Sequence, residues 1–299
     1  MIDNKDNKKV ILSGIQPSGE LCIGNYLGAI KNWVELQPDY DSIFVVVDMH
    51  AITVRQNPAE LRKRCLSFAA QFIACGIDPK LSSIFIQSHV SAHAELAWVL
   101  NCYTYMGELN RMTQFKDKSK KHNANINAGL FTYPILMASD ILLYQADLVP
   151  VGADQKQHLE LARNIAERFN NEYSPTFKVP EPFIPKHGAR IMSLQSPESK
   201  MSKSDVNVNN YIGLLDDEQT IIKKIKRSVT DSGSRVDYKN GGEGLKNLIN
   251  IYSLLSGDEI NAIELRFLNK GYKEFKEGLS GVIIESLKPI QEKYQSLMN

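Results

Sequence analysis

The chain has 299 residues, 43% of them hydrophobic, which is enough for one large domain or two unequal ones. Its net charge of +1 shows no basic excess of the kind that announces nucleic-acid binding, and no apolar run reaches the roughly 18 residues of a membrane span. The polar start lacks a secretory segment, and no C-x-x-C spacing relates the cysteines, which are Cys22, Cys65, Cys75 and Cys102. We therefore expect a cytoplasmic protein without a disulfide framework, a zinc site or a membrane segment.

The first predicted strand leads into a glycine-bearing turn. Residues 10–13 have a β-like pattern, the turn covers 14–25, and 26–36 have a helical pattern. Strand, turn and helix in this order direct backbone N–H groups towards an anion. The turn matches neither G-x-G-x-x-G nor the Walker A motif, so an ordinary βα turn remains the alternative.

Strands and helices then alternate along the chain. Apolar runs at 43–47 and 83–87 predict buried strands, and the patterns at 58–76 and 92–102 predict helices. This alternation predicts an α/β fold with a doubly wound, Rossmann-like parallel sheet. Ligands bind such sheets beyond the carboxyl ends of the strands, where Gln16 and His50 are expected.

A dense basic segment at 111–121 includes Lys118 and leads into an asparagine-rich stretch. A solvated loop is the default interpretation of this composition. A loop that seeks phosphate is the sharper hypothesis, and the two are compatible.

The helix predicted over 129–146 is the most informative one. Tyr133, Met137, Asp140 and Tyr144 lie on one of its faces because they are spaced at i, i+4, i+7 and i+11. Their neighbours are apolar almost all round, so the helix should be buried. A buried carboxylate needs a donor, and for Asp140 two remain open: a group of the protein or an N–H of a ligand.

A short strand is predicted at 148–151 and a helix at 156–170. Between them Asp154 is a plausible N-cap. His158 is expected to be structural, because no second metal ligand lies at i+3 or i+4. The proline-rich residues 172–185 are expected to form a linker or an insertion at the sheet edge.

The alternation stops after residue 205. Helices are predicted at 216–229, 245–256, 258–268 and 272–297, so we expect two domains, 1–205 and a helical one at 206–299. The basic run at 223–227 is expected to be a solvated face, with a contact to RNA phosphates as the minority alternative.

The loop that ends the first domain carries the letters KMSKS at 200–204. Two lysines spaced like Lys200 and Lys203 are usually just solvated surface. The five letters, however, resemble the KMSKS signature of class I aminoacyl-tRNA synthetases. In that family the loop binds the triphosphate of ATP and stabilises the departing pyrophosphate.

Further segments over almost the whole chain resemble the bacterial tryptophanyl-tRNA synthetases, a family of class Ic enzymes. The turn at 14–25 is similar to that family's version of the HIGH signature. The resemblance continues in the family's order through 48–53, 111–119, 133–144, 149–158 and 188–204.

The resemblance implies a two-step ligase reaction. The carboxylate of L-tryptophan attacks the α-phosphorus of ATP, which gives tryptophanyl-adenylate and pyrophosphate. The 2′-hydroxyl of the terminal adenosine of tRNA then takes the tryptophanyl group. Because the nucleophile is already an anion, the site needs alignment and charge neutralisation rather than a base.

The resemblance also implies residues for ATP. Catalytic roles fall to Gln16, Asn25, Lys118, Lys200 and Lys203, with Mg²⁺ carried on the phosphates. The residues implied to bind ATP are Gln16, Pro17, Ser18, Gly24, Asn25, Gly152, Ala153, Asp154, Ile191, Lys200, Met201, Ser202, Lys203 and Ser204.

For tryptophan, the resemblance implies that Asp140 accepts the indole N–H, while Tyr133 and Gln155 hold the α-ammonium group. The implied binding residues are Leu12, His50, Tyr133, Met137, Asp140, Val151 and Gln155. Because a buried carboxylate without a donor is penalised, phenylalanine should be rejected on the order of thousands-fold.

Three features depart from the family's pattern. Cys22 stands where the HIGH signature has His and this family commonly has Thr, so a weak donor replaces a good one. Ala153 replaces the Glu of the family's G-E-D-Q motif. The chain stops at Asn299, short of the terminal helices that help family members to recognise the anticodon.

The resemblance implies a homodimer as well. One rival interpretation is another enzyme of the same superfamily, a tyrosyl-tRNA synthetase or a small-molecule adenylyltransferase. The other is a non-catalytic paralogue that binds tryptophan or RNA. Asn25 and the two lysines of the loop favour an enzyme, whereas Cys22 and the short C-terminus favour the paralogue weakly.

Overall fold

The computed structural model describes residues 8–113, 115, 126–152, 155–184 and 190–299. Two compact units divide the chain. The first contains the described residues of 1–17, 36–69 and 78–186, and the second contains those of 18–35, 70–77 and 187–299. The second unit therefore combines the helical C-terminal part with two short segments from the N-terminal half. The functional division expected after residue 205 stays a prediction.

A parallel sheet of five described strands lies in the first unit. The strands are β1 Val10–Ile15, β2 Asp41–Val46, β3 Ser82–Ile86, β4 Leu148–Pro150 and β5 Glu181–Phe183. Their order is β3-β2-β1-β4-β5, so the chain adds strands on both sides of β1. This is a doubly wound sheet, and it confirms the predicted fold class.

The strands form where the sequence supplies continuous apolar runs. Ile43 and Val45 in β2 are buried and pair in register with Leu12 and Gly14 in β1. Burial on both faces explains why this run does not alternate with polar residues. Within the proline-rich segment, Pro182 is tolerated because β5 is the outermost strand of the order. Of the two alternatives for that segment, the insertion at the sheet edge is therefore observed.

The described α-helices follow the predicted ones closely, with ends shifted by a few residues. They are α1 Ile23–Asn25, α2 Lys31–Leu36, α3 Asp48–Ala51, α4 Pro58–Ala74, α5 Ala92–Asn101, α6 Met106–Asn110, α7 Ala128–Leu142, α8 Lys156–Glu172, α9 Glu218–Arg227, α10 Glu243–Ser256, α11 Ile260–Arg266 and α12 Tyr272–Met298. Short helices α3 and α6 were not predicted. The helical pattern predicted over 26–36 is confirmed, with a π-helical turn at Tyr26–Ile30 between α1 and α2.

Helix α7 is buried, as its apolar composition predicts, and it packs between α5 and α8. The side chain of Asn127 caps its start by accepting a hydrogen bond from the N–H of Leu130 (3.0 Å). The helix ends at Leu142 rather than at the expected residue 146. Gln145 has a positive φ of 52°, which a helix cannot accommodate.

In the second unit, α9, α10 and α11 pack around the long helix α12 or against each other. Buried Phe275, Leu279, Ile283 and Leu287 form one stripe of α12 at helical spacing. Among the described residues, no helix combines the length and the apolar composition that crossing a membrane requires.

Candidate active site

Asp140 in α7 is the centre of a buried polar cluster in the first unit. The residue is 3% exposed, and its carboxylate meets three side chains. Oδ1 accepts hydrogen bonds from Nε2 of Gln87 (2.6 Å) and from Nδ1 of His93 (2.7 Å). Oδ2 lies 2.7 Å from Nε2 of His50. These contacts offset the cost of removing a charge from water.

The cluster keeps the carboxylate ionised. Burial raises the pKa of Asp140, but the hydrogen bonds from His50 and His93 outweigh burial and hold the pKa below its usual value. An ionised carboxylate only accepts, so Nδ1 of His93 must donate. Nε2 of His93 lies 2.9 Å from the hydroxyl of Tyr144.

Of the two donors left open for Asp140, those of the protein are present. The two carboxylate oxygens nevertheless differ. In the described part of the chain Oδ1 has two partners and Oδ2 has one. Oδ2 therefore has room for one further donor, and the acceptance of an indole N–H stays a prediction.

Sequence reasoning missed Gln87 and His93. Gln87 follows β3 directly, at the carboxyl end of a buried strand, which is the rule that selected Gln16 and His50. Applied to β3, the same rule would have found it. His93 is the second residue of α5, and no pattern in the sequence distinguishes it from an ordinary helix residue.

Tyr133 and Gln155 are joined by a histidine. The hydroxyl of Tyr133 lies 3.0 Å from Nε2 of His158, and Oε1 of Gln155 lies 3.0 Å from Nδ1 of the same ring. His158 is a buried helix residue whose two ring nitrogens both lie beside side chains of the protein. It ties together the two residues that are predicted to hold an α-ammonium group, and that role stays a prediction.

The apolar residues predicted to contact the indole ring share one region. Leu12 and Val151 are buried members of the core of the first unit, and Met137 packs against it. They lie on β1, α7 and the segment after β4, and their contact with an aromatic ligand stays a prediction.

Gln16 lies at the carboxyl end of β1, beside the corresponding end of β2. Its Nε2 donates to the carbonyl of His50 at 3.1 Å. The expected placement of both residues at strand ends is confirmed, since Ile15 pairs with Val46 in the sheet. Buried Pro17 is the next residue.

The glycine-bearing turn and the lysine loop touch within the second unit. Gly19 has φ +66°, and a Cβ atom on it would lie 2.0 Å from the carbonyl oxygen of Lys203. A Cβ atom on Gly24 would lie 3.2 Å from Cβ of Met201. At Gly19, only a residue without a side chain permits such a close approach of two backbones. Segments far apart in sequence, both implied to hold phosphates, are thus brought together.

Asn25 is fixed by Cys22 at the start of α1. Its Oδ1 lies 3.2 Å from both N and Sγ of Cys22. Burial raises the pKa of the Cys22 thiol from 9.0 by more than nearby hydrogen bonds lower it. The thiol therefore keeps its proton and donates to Asn25, so it orients that amide.

The lysine loop follows a short hairpin. The hairpin begins at Ile191, the residue implied to bind adenine. The N–H of Met201 donates to the carbonyl of Ile191 (3.0 Å), and Met192 forms a bridge with Lys200. Asn247 of α10 binds both the N–H and the carbonyl of Met192, each at 2.9 Å. Lys200 is exposed, Lys203 is half-buried, and the hydroxyls of Ser202 and Ser204 bond to each other.

A family model described as tRNA synthetases class I (W and Y) matches residues 4–288. The chain belongs to this family. The letters W and Y denote tryptophan and tyrosine. The family model therefore leaves open the choice between a tryptophanyl-tRNA synthetase and the rival interpretation, a tyrosyl-tRNA synthetase.

Among members of the family, the tryptophan–tRNA ligase of Clostridium tetani is 59% identical over 291 residues, which cover 97% of this chain and 86% of that protein. The crystal structure of tryptophanyl-tRNA synthetase from Mycoplasma pneumoniae has a TM-score of 0.86 at 36% identity, covering 97% and 88% of the two chains. The Campylobacter jejuni enzyme complexed with ADP and tryptophan has a TM-score of 0.85 at 38% identity, covering 97% and 89%. The predicted family and its tryptophan–tRNA ligase activity are confirmed.

Some residues implied by the family pattern lie outside the described part of the chain. These are Lys118, Ala153 and Asp154, together with 185–189 of the segment before the lysine loop. Gly152 is described and follows β4 as an exposed residue. The roles of Lys118, Ala153 and Asp154 remain predictions from the family pattern, as does the effect of the change to Ala153.

Proposed function

We propose that this ligase holds ATP with the turn at 16–25 and the lysine loop, and tryptophan with the cluster around Asp140. The observation that carries the ATP assignment is the contact between Gly19 and Lys203. It brings a turn with backbone N–H groups and the ammonium-bearing loop to one place. Such a combination suits a polyphosphate.

In the first step, the formation of the adenylate, these residues align the reactants and neutralise charge. An oxygen of the tryptophan carboxylate forms a bond to the α-phosphorus, and the bond from that phosphorus to the β-phosphate oxygen breaks. Lys200 and Lys203 neutralise the charge that moves onto the leaving pyrophosphate. Asn25, oriented by Cys22, presents its amide N–H groups to the same phosphates.

Mg²⁺ fits this arrangement as an ion carried by the substrate. Among the described residues, no group of three or more His, Cys, Asp or Glu is placed to hold a metal. The polar side chains that we assign to the phosphates, those of Gln16, Ser18, Asn25, Lys200 and Lys203, are amide, hydroxyl and ammonium groups, which contact phosphate oxygens. The ion would supply further charge neutralisation while bound to those oxygens.

For tryptophan binding, we now expect a smaller discrimination against phenylalanine than the sequence suggested. A thousands-fold rejection of phenylalanine assumed that the ligand is the donor that the buried carboxylate lacks. Because Asp140 already has three protein partners, an absent ligand N–H costs only about 1–3 kcal/mol, or roughly ten- to hundred-fold. Further selectivity must come from the apolar walls that include Leu12 and Val151.

The assay that tests the function is ATP–pyrophosphate exchange with each amino acid in turn. We expect exchange with tryptophan and none with tyrosine. Exchange with tyrosine alone would establish the tyrosyl-tRNA synthetase alternative. Tryptophan binding without any exchange would establish the non-catalytic alternative.

For the second step, we propose that residues 206–299 bind tRNA and that the 2′-hydroxyl of its terminal adenosine attacks the adenylate carbonyl, releasing AMP. Exposed Lys223, Lys226 and Arg227 on α9 support an interaction with phosphates. Lys224 does not belong to that face, because it is buried 2.6 Å from Asp216. Lys226→Ala should weaken aminoacylation of tRNA and leave pyrophosphate exchange unchanged, and a loss of exchange would contradict the division.

We propose that the protein acts as a homodimer. Three large apolar side chains near the end of α5 and the start of α6 are strongly exposed: Trp98 (73%), Tyr105 (63%) and Met106 (65%). Such a group of residues is typical of a subunit interface. Trp98→Glu should yield a monomer in analytical ultracentrifugation, while Ile184→Glu, at an equally exposed apolar residue, should not.

We also propose the cytoplasm as the location of the protein. All four cysteines are free, which suits a reducing compartment. Quantifying the protein in cytosolic and membrane fractions would test this.

A further inference from the structure

The two oxygens of the Asp140 carboxylate differ in how much they are enclosed. The partners of Oδ1, Gln87 and His93, are fully buried. The partner of Oδ2, His50, has a side chain that is 12% exposed, against 0% for His93. Among the described residues around the carboxylate, those on the side of Oδ2 are therefore the less enclosed.

Gln87 and His93 are themselves fixed by further bonds. Oε1 of Gln87 accepts from the N–H of Met49 (3.0 Å), which leaves its amide nitrogen to face Asp140. The carbonyl of His93 accepts from the hydroxyl of Ser139 (2.7 Å), and its ring is held between Asp140 and Tyr144. Both donors to Oδ1 thus have a single available orientation.

We propose that Gln87 and His93 are positioning residues for tryptophan selection. They occupy Oδ1 and fix the plane of the carboxylate, so that the free acceptor direction of Oδ2 is presented to the indole N–H. The inference rests on the proposed role of Asp140 in binding tryptophan. It goes further because it assigns the selectivity to two residues that would not touch the ligand.

A purely structural role would make a different prediction. If the pair only stabilised the fold, removing a donor would weaken tryptophan and all its analogues alike. If it aims Oδ2, removing a donor should weaken those ligands that bring an N–H, because a misdirected acceptor loses much of its hydrogen bond. The informative quantity is therefore a ratio between two ligands.

The test uses tryptophan and benzothienylalanine, in which sulfur replaces the indole N–H. The kcat/KM of each is measured by ATP–pyrophosphate exchange with the full-length protein, and the Kd of each by calorimetry. For the wild type we expect tryptophan to be favoured by a factor on the order of ten to a hundred. Gln87→Met and His93→Leu keep the volume, remove the donor, and should lower this ratio about ten-fold.

Two further variants keep the result interpretable. His93→Asn retains an N–H donor at the position of Nδ1 and should restore most of the ratio. Ser82→Ala removes a buried hydrogen bond to Gln37 (3.0 Å) at the start of β3, away from the carboxylate. It should lower the thermal midpoint as the other variants do and leave the ratio unchanged.

Three outcomes decide the matter. An unchanged ratio in Gln87→Met and in His93→Leu, with a lowered midpoint, would overturn the inference and leave the ligase function intact. A wild-type ratio near one would overturn both the inference and the role of Asp140, again with tryptophan-dependent exchange retained. A wild type without any exchange would overturn the proposed catalysis, and the ratio of the Kd values would then decide the inference alone.

Discussion

The cluster around Asp140 and the lysine loop differ in how their charged groups are stabilised. In the first unit, a buried charge is matched by three side chains of the protein before any ligand arrives. In the second unit, the backbone is held by the Ile191 carbonyl and by Asn247, while the ammonium group of Lys200 faces solvent. The site that we propose for a neutral ring thus depends on fixed side chains, whereas the site that we propose for phosphates depends on a fixed backbone.

This difference has an energetic reason. A carboxylate sunk in an apolar core is costly unless it is paired at all times, so its partners must be built in. An ammonium group on an exposed loop is solvated when ATP is absent and costs little to keep. Mutations should therefore damage stability in the first region and turnover in the second.

The largest effect is expected for Asp140→Ala. Gln87, His50 and His93 would lose their common acceptor, and we expect the free energy of unfolding to fall by about 3–5 kcal/mol and the discrimination of tryptophan to disappear. Urea denaturation and exchange kinetics measure both. The control is Asp147→Ala, which removes a partly exposed carboxylate that is paired with Lys178 and accepts from the N–H of Val10, and it should cost about 1–2 kcal/mol. Equal losses in the two variants would break the comparison.

Lys203→Ala should act on turnover. We expect the rate of exchange to fall on the order of a hundred-fold or more, with little change in the KM for tryptophan and in the thermal midpoint. Lys223→Ala removes an exposed lysine of α9 and should leave the exchange rate unchanged. A Lys203→Ala variant with a wild-type rate would remove the loop from the mechanism.

Gly19→Ala tests the contact between the turn and the loop. The added Cβ atom would lie 2.0 Å from the carbonyl oxygen of Lys203, so we expect the loop to shift and kcat/KM for ATP to fall about ten-fold or more. Gly257 has a similar φ of +77° but nothing within 4 Å of its position, so Gly257→Ala carries the same backbone strain without the clash. Matching kinetic losses in both variants would trace the effect to strain alone.

The smallest effect is expected for Cys22→Ala. Asn25 keeps its bond to the backbone N–H of residue 22, so we expect exchange to slow no more than about five-fold. Because burial raises the pKa of this thiol, its thiolate is scarce at neutral pH. Iodoacetamide should therefore modify exposed Cys102 first, as peptide mass spectrometry would show. A ten-fold or larger loss of rate would give Cys22 a direct role at the phosphates.

Much of the fold follows from local patterns in the sequence. The apolar run of β2 and the amphipathic stripe of α12 need only the spacing of side chains to be recognised. The π-helical turn at Tyr26–Ile30 has no comparable signal. The end of α7 escaped prediction too, since it depends on a left-handed residue, Gln145, that is not a glycine.

The candidate site was predictable as a set of residues and not as a set of contacts. The motif letters select Gly19 and Lys203, but nothing local indicates that their backbones touch. Asp140 was recognised as a buried carboxylate, whereas the identity of its donors depends on where β3 and α5 place Gln87 and His93. Pairings between distant segments are set by tertiary packing, and one sequence does not encode them in any readable pattern.

Asn247 joins α10 to the hairpin of the lysine loop as a neighbouring strand would, by bonding to both the N–H and the carbonyl of one residue, Met192. The side chain of Asn247 therefore fixes the position of Met192 relative to α10. If α10 slides along its axis, Met192 has to travel with it, and the adjacent lysines follow. A displacement of α10 would therefore be passed through Met192 to its bridge partner Lys200.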